Sequence, residues 1–291
     1  MRKIFYLAMV AVTAIFAGCA NDEDALLPND SLKDTPINVD VLVSGINTRA
    51  GYDNTSQPTM LYLSIDQNGT KYDYTNVVMK YDGSKWVAYE SDATDAEKKQ
   101  LLWEGSKFNV IVTAATFPLS STSTPLNALA DQSTAEAVKA SDHLCYYSYM
   151  VMPSIEGMSL ELDHIMSKIS VKLTLGTEYA TSETNPITSV SAFGASTGAT
   201  YSPGVGRPWS KQSNVKKITL FPSVAYNTAD RTATYEAILV PQTIAENSFG
   251  IEIRIGEKTY EWTSAEAFTL TGGTNHTLEM TVGNASSANI N

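Results

Sequence analysis

The sequence indicates an all-β fold made of two tandem antiparallel β-sandwich domains. Short segments rich in β-branched and aromatic residues alternate apolar with polar side chains, and Gly, Asn, Ser and Thr separate them. Long stretches with helical periodicity are almost absent. Each half of the chain offers about seven candidate strands, the number in one sandwich. We therefore expect an N-terminal domain over residues 37–160 and a C-terminal domain over residues 161–291, with the break close to Pro153 and Gly157.

The composition limits the classes of partner. Hydrophobic residues make up 43% of the 291 residues and charged residues 18%, which is enough apolar material for one or two cores. Asp and Glu outnumber Lys and Arg by 31 to 20, so the net charge is −11. Because a nucleic-acid backbone requires a basic surface, the sequence predicts no nucleic-acid partner.

The first residues have the features of a secretory signal. Arg2 and Lys3 precede a run of thirteen uncharged, largely apolar residues, 4–16, which is too short to span about 30 Å of hydrocarbon. The run ends in Phe16-Ala17-Gly18-Cys19, which resembles the lipobox of bacterial lipoproteins. This resemblance implies a signal peptide over residues 1–18 and lipid on Cys19. An ordinary secretory signal that contains a cysteine is the alternative.

Residues 19–36 are predicted to form a lipidated tether. They are polar and contain Pro28 and Pro36. The cluster Asp22-Glu23-Asp24 behind Cys19 looks like the surface-export signal of lipoproteins in Bacteroidetes-type bacteria, although a solvated linker has the same composition. We expect a precursor that is bound to the outer membrane by its lipid and exposed on the cell surface.

Alternation and turn residues predict the strands of the first half. Ile37, Val39, Val41 and Val43 share one face of the first strand, and Asn68-Gly69 and Asp82-Gly83 mark hairpins. Further strands are predicted at residues 60–65, 72–81, 85–89, 108–114, 146–152 and 158–162. Two capping boxes, at Thr94 with Glu97 and at Ser133 with Glu136, predict short helices.

The second half continues in the same way. Strands are predicted at residues 165–175, 187–193, 215–221, 232–240, 249–255, 259–263 and 276–282. Gly204-Val205-Gly206 lacks a third glycine and a following helix, so we interpret it as a turn and not as a dinucleotide loop.

Residue patterns that carry enzyme chemistry are missing. His143, His164 and His276 are far apart in the sequence, whereas a zinc site needs clustered ligands. Asp163-His164 is the only neighbouring acid–histidine pair, and adjacent strand residues point to opposite faces. We therefore predict no catalytic residues, no metal and no cofactor, and a protein that is not an enzyme. With Cys19 lipidated, Cys145 is expected to be a small buried hydrophobe.

Several local features resemble the fimbrillin (FimA/Mfa-like) family, the type V pilins of Bacteroidales. After the lipobox and the first strand comes Arg49, in the polar segment Asn47-Thr48-Arg49-Ala50. The most specific match is His164-Ile165-Met166-Ser167-Lys168-Ile169, which looks like the family's His-x-Met-Ser-Lys-Ile strand. Other similar segments are Ser141 to Tyr146, Leu239-Val240-Pro241-Gln242, and Tyr260-Glu261-Trp262 with Leu270 to Gly273.

The resemblance implies two transthyretin-like sandwiches and a pilus subunit with a role in adhesion. Such pilins are cut by an arginine-specific protease, which releases the first strand and opens a groove for a strand from a neighbouring subunit. In this sequence the cut would follow Arg49, so the mature chain would begin at Ala50 with 242 residues. The released strand would carry Ile37, Val39, Val41 and Val43.

The position in the pilus and the ligand are open at this point. Only nine residues follow the last predicted strand, and Ile290 is the sole large hydrophobe among them, which favours a tip or accessory subunit over a stalk subunit. The alternative function is a non-polymerising surface lipoprotein that binds glycan or protein ligands of a host or a microbe.

Overall fold

The computed structural model describes residues 32–44, 51–53, 55–120, 123–204, 209–284 and 287–290. In this part of the chain strands dominate, and the α-helical content is one helix of seven residues. The all-β class is therefore confirmed.

The first eight strands and the helix come from the first half of the chain. They are β1 (Val39–Val43), β2 (Met60–Asp66), β3 (Tyr74–Tyr81), β4 (Trp86–Tyr89), β5 (Val110–Ala115), β6 (Thr124–Asn127), α1 (Ala135–Ser141), β7 (Leu144–Val151) and β8 (Met158–His164). Seven of these strands form one sheet in the order β1-β8-β7-β5-β2-β3-β4. β1 pairs with β8 in parallel, and the other neighbours are antiparallel.

Thirteen strands follow in the second half. They are β9 (Ser167–Leu175), β10 (Ile187–Phe193), β11 (Ser196–Tyr201), β12 (Trp209–Val215), β13 (Ile218–Thr219), β14 (Phe221–Asn227), β15 (Thr232–Leu239), β16 (Gln242–Ile244), β17 (Gly250–Ile255), β18 (Lys258–Thr263), β19 (Phe268–Leu270), β20 (Asn275–Val282) and β21 (Ser287–Ile290). The two main sheets have the orders β14-β15-β9-β20-β21 and β13-β10-β17-β18. β16 and β19 form a two-stranded sheet.

One of the two predicted helices exists. α1 begins after Thr134, whose hydroxyl accepts a hydrogen bond from the Ala137 N–H, so the N-cap is Thr134 and not Ser133. The helix predicted at Thr94 is wrong. Residues 97–99 instead pair with β4, where the Glu90 N–H donates to the Glu97 carbonyl and the Lys99 N–H to the Ala88 carbonyl. This pairing overrides the local capping pattern.

Three hydrophobic clusters hold the sheets together. One lies in the first half of the chain and one lies between the two main sheets of the second half. A third joins the two halves, because Phe117, Leu126 and Cys145 from the first half pack with Tyr201 and Ile238 from the second. Cys145 is buried there, as expected from the sequence.

The two halves of the chain also share a sheet. β6 pairs with β11 in the three-stranded order β12-β11-β6, so a strand from the first half completes a sheet of the second. The expected division between residues 160 and 161 lies inside β8, all of whose residues belong to the first sheet. The chain passes from the first sheet to β9 through Ile165 and Met166.

Candidate functional site

The first strand buries one face. Ile37, Val39, Val41 and Val43 are each at most 8% exposed, whereas Asp40 and Leu42 point outward, with Leu42 53% exposed. This is the alternation that the sequence predicts, although the regular ladder begins at Val39 and not at Ile37. The strand is therefore amphipathic and contributes a continuous apolar face to the first core.

Backbone hydrogen bonds hold β1 on one side and the residues that precede it on the other. On one side β1 runs parallel to β8, from Val39 opposite Met158 to Val43 opposite Leu162. On the other side, residues 34–37 pair with residues 101–103: the Ile37 N–H donates to the Leu101 carbonyl at 2.9 Å and the Trp103 N–H to the Thr35 carbonyl at 3.0 Å. We call the place that residues 34–43 occupy the β1 groove; its two walls are residues 101–103, beside residues 34–37, and β8, beside β1.

The β1 groove has an apolar floor. The apolar side chains of the strand belong to the first core, which includes several side chains that have no exposed surface: Leu61, Leu63, Ile65, Trp103, Val112, Leu160 and Leu162. Without the strand this surface would be open to water, and the backbone groups of its two walls would lose their partners.

The chain passes close to Gly157 at the start of the groove. The Met158 N–H donates to the Asn38 carbonyl at 2.9 Å. Gly157 has a φ of +91°, and a Cβ atom at this position would lie 2.3 Å from the same Asn38 oxygen. Only glycine fits both the left-handed backbone and the close approach.

The other end of β1 is held at the end of β8. The Ser44 N–H donates to the Leu162 carbonyl at 2.9 Å, and the Ser44 hydroxyl donates to Asp163 Oδ1 at 2.6 Å. Asp163, which is next to His164 in the sequence, therefore binds Ser44, the residue that follows β1.

A buried Asp–His pair lies beside this point. His164 Nδ1 and Asp142 Oδ1 are 2.9 Å apart, and both side chains are almost fully buried. Asp142 Oδ2 accepts a hydrogen bond from the backbone N–H of Tyr52 at 3.0 Å. Burial, with the nearby Asp142 carboxylate, raises the pKa of the Tyr52 phenol.

Sequence reasoning missed this pair because its members are 22 residues apart and meet only where the end of α1 reaches the end of β8. Asp142 and His164 each lie in a segment that resembles the fimbrillin family, and this is the signal that could have linked them.

The remaining candidate residues are not described. Cys19, Arg49 and Ala50, the predicted lipidation and processing sites, lie outside the described residues. Within the described ranges, His, Cys, Asp and Glu side chains form no group of three that could hold a metal ion. Nor is any helix in those ranges long and apolar enough to cross a membrane.

Comparison with known families decides the assignment. The family model described as fimbrillin-like matches residues 35–291. The chain belongs to the fimbrillin-like family. No curated protein matches the sequence of this fimbrillin-like chain.

Solved structures share the fold of this fimbrillin-like protein. A candidate cell adhesion protein from Bacteroides ovatus has a TM-score of 0.64 at 15% identity, over 89% of this chain and 96% of the other. A second, from Bacteroides uniformis, has a TM-score of 0.57 at 12% identity, over 89% of this chain and 98% of the other. At these identities the likeness concerns the fold.

Proposed function

We propose that this fimbrillin-like protein is a cell-surface pilus subunit that functions in adhesion and assembles by strand exchange after proteolysis at Arg49. Membership of the family supports a fimbrial or adhesive role at the cell surface. The observation that supports the finer proposal is the position of residues 34–43: β1 pairs with β8, and the residues before it pair with residues 101–103, both distant in sequence. Cleavage between Arg49 and Ala50 would separate this strand from the rest of the chain.

The energetics favour replacement of the strand over an empty groove. Burial of Ile37, Val39, Val41 and Val43 contributes about 1.5–3 kcal/mol each, or roughly 6–12 kcal/mol together. Loss of the strand would also leave the carbonyls of Leu101 and Leu162 without their partners. A strand from another subunit with alternating β-branched residues would restore both the burial and the hydrogen bonds.

Lipid on Cys19 would hold the precursor at the outer membrane until the cut is made. Cleavage after Arg49 would then remove the lipidated segment together with β1 and free the subunit for the pilus. Other pilin subunits are the partners that this mechanism requires.

A tip or accessory position is proposed over a stalk position. A donor strand has to leave its own sheet, whereas β21 pairs with β20 from Thr281 opposite Ser287 to Leu278 opposite Ile290. The groove in the first sheet can accept a strand without any change to β20 and β21.

An arginine-specific protease tests strand exchange. The purified wild-type protein should be cut after Arg49 and should then bind a labelled peptide in excess with the sequence of residues 34–44, which stands in for a donor strand. Arg49→Ala should fold but take up no peptide, and Thr48→Ala, which keeps the arginine, should behave as the wild type does. Peptide uptake by uncut Arg49→Ala protein would contradict the mechanism.

Ligand binding without polymerisation is the second candidate function. A groove of about 460 Å³ has an aromatic side chain and several amide and hydroxyl groups in its lining: Trp209, Gln212, Gln242, Thr243, Thr269 and Thr271. Aromatic faces beside neutral polar groups suit a sugar ring. Saturable saccharide binding that Trp209→Ala abolishes, by a protein that takes up no strand peptide after exposure to the protease, would favour this function.

A further inference from the structure

The two ends of the segment that contains Arg49 are both held close to the end of β8. Ser44, on the upstream side, binds Leu162 and Asp163, and Tyr52, on the downstream side, binds Asp142, which is paired with His164. Seven residues, 45–51, separate these two points in the sequence. Both ends of the segment are therefore fixed at the same end of the first sheet.

The two attachments differ in burial. Ser44 and Asp163 are partly exposed, so water can replace their hydrogen bond. Asp142 is 2% exposed, and its two carboxylate oxygens bind His164 and the Tyr52 N–H. If the Tyr52 N–H left, the buried Asp142 carboxylate would lose a hydrogen-bond donor that water cannot replace. The attachment of Tyr52 therefore costs more free energy to break than that of Ser44.

Further contacts hold the chain after Tyr52. The Asp53 carboxylate accepts hydrogen bonds from the N–H groups of Thr55 and Ser56, both at 2.7 Å, and the hydroxyl of Thr55 lowers the pKa of this carboxyl. Lys139 of α1 donates a hydrogen bond to the Ser56 hydroxyl. The downstream side is thus attached to α1 as well as to the Asp142–His164 pair.

We propose that the Asp142–His164 pair is a positioning site that keeps the new N-terminus in place after cleavage, so that only the upstream strand leaves. This inference rests on the proposed cleavage at Arg49. In the cut protein Ala50 is two residues from Tyr52, so its α-ammonium group stays within about 8 Å of the Tyr52 nitrogen. The retained end therefore lies beside the groove without following the released strand or filling its place.

Hydrogen exchange at the Tyr52 amide tests the retention directly. Intact mass first verifies that an arginine-specific protease cuts the wild-type protein after Arg49, and exchange is then measured before and after the cut. We expect the Tyr52 amide to stay protected in the cut protein, while the amides of Val39–Val43 are lost with the released peptide.

One matched pair of variants and a third, upstream variant separate positioning from general stability. Asp142→Ala should speed exchange at the Tyr52 amide by about tenfold or more, because the acceptor is lost, whereas Asp142→Asn keeps an acceptor oxygen and should stay close to the wild type. Asp163→Ala removes the side-chain hydrogen bond of the upstream attachment and keeps the one between the Ser44 N–H and the Leu162 carbonyl. It should therefore speed release of the strand and leave the Tyr52 amide unchanged.

The outcomes distinguish this inference from the function on which it rests. A wild-type protein that is not cut at Arg49 would contradict the proposed function. If the wild-type protein is cut and releases the strand, but the Tyr52 amide then exchanges freely, the proposed retention is wrong and the proposed function stands. The wild-type measurement decides the point even if Asp142→Ala does not fold.

Discussion

The side chain of Gln132 exchanges two hydrogen bonds with the backbone of Ile238. Its Nε2 donates to the Ile238 carbonyl at 2.7 Å, and its Oε1 accepts from the Ile238 N–H at 2.8 Å. Gln132 has no exposed surface. The ladder between β14 and β15 stops at Glu236, so Gln132 takes the place of a neighbouring strand and connects the two halves of the chain.

Gln132→Ala should destabilise the protein by about 3 kcal/mol, because it leaves a buried N–H and a buried carbonyl without partners. Urea unfolding measures the change in the free energy of unfolding. Gln100→Ala, at an exposed position, is the control and should be close to neutral. Equal unfolding midpoints for the two variants would show that Gln132 contributes nothing at this junction.

Strands with one buried face could be predicted from the sequence, and those without alternation could not. Val39, Val41 and Val43 alternate with outward residues, so the face that β1 buries was predictable. β11, Ser196–Tyr201, is buried on both faces at the junction and, apart from Tyr201, consists of small residues and threonine, so its sequence shows no period of two.

The contacts that define the candidate site depend on long-range pairing. The parallel register of β1 with β8 and the approach of Asn38 to Gly157 cannot be derived from local pattern, because residues more than a hundred positions apart make these contacts. The same holds for Tyr52, whose N–H finds its acceptor, Asp142, 90 residues further along the chain.

Gly157→Ala should loosen β1 selectively. The new methyl group would overlap the Asn38 carbonyl and would also occupy a backbone with positive φ, at a cost of about 2 kcal/mol or more. Hydrogen exchange should therefore speed up at Val39–Val43. Gly69→Ala is the matched control, since Gly69 has a φ of +73° with no atom within 4 Å of a Cβ. Equal effects on β1 would mean that the close approach is unimportant.

Glu252 should contribute stability that acid removes. Its carboxylate binds Lys217 Nζ at 2.5 Å and Arg254 Nε at 2.9 Å, and the hydrogen bond from Lys217 is the main cause of the lowered pKa of Glu252. Because the folded state binds this proton less readily than the unfolded state does, the contribution is present above about pH 4.5 and is lost as the pH falls further.

Glu252→Gln should therefore cost about 1 kcal/mol at pH 7, since both cationic partners are partly exposed. The difference from the wild type should shrink below about pH 4.5. Unfolding in urea at a series of pH values measures this difference in the free energy of unfolding. Glu257→Gln, in an exposed turn, is the control. A difference that grows in acid would contradict the assignment.

Cys19→Ser should prevent lipidation of the precursor. The expected result is a protein that moves from the detergent fraction to the soluble fraction and lacks the mass of the acyl chains. Ala20→Ser, at the adjacent position, should keep both the lipid and the detergent partition. Acyl mass retained by Cys19→Ser would rule out Cys19 as the lipidated residue.

A disulfide between β20 and β21 should leave a tip or accessory subunit functional. Glu279 and Asn289 are directly opposed in this antiparallel pair, where Cα atoms are about 4.5–5.5 Å apart, a separation that a disulfide can bridge. The double variant Glu279→Cys/Asn289→Cys would therefore fix β21 to its own sheet. Because an accepting subunit uses only the β1 groove, the oxidised protein should still join a pilus after cleavage at Arg49.

The single variants are the controls for each substitution, and added reductant breaks the disulfide again. If oxidation stopped fibre growth and reductant restored it, β21 would have to leave its sheet during assembly, and the protein would be a stalk subunit.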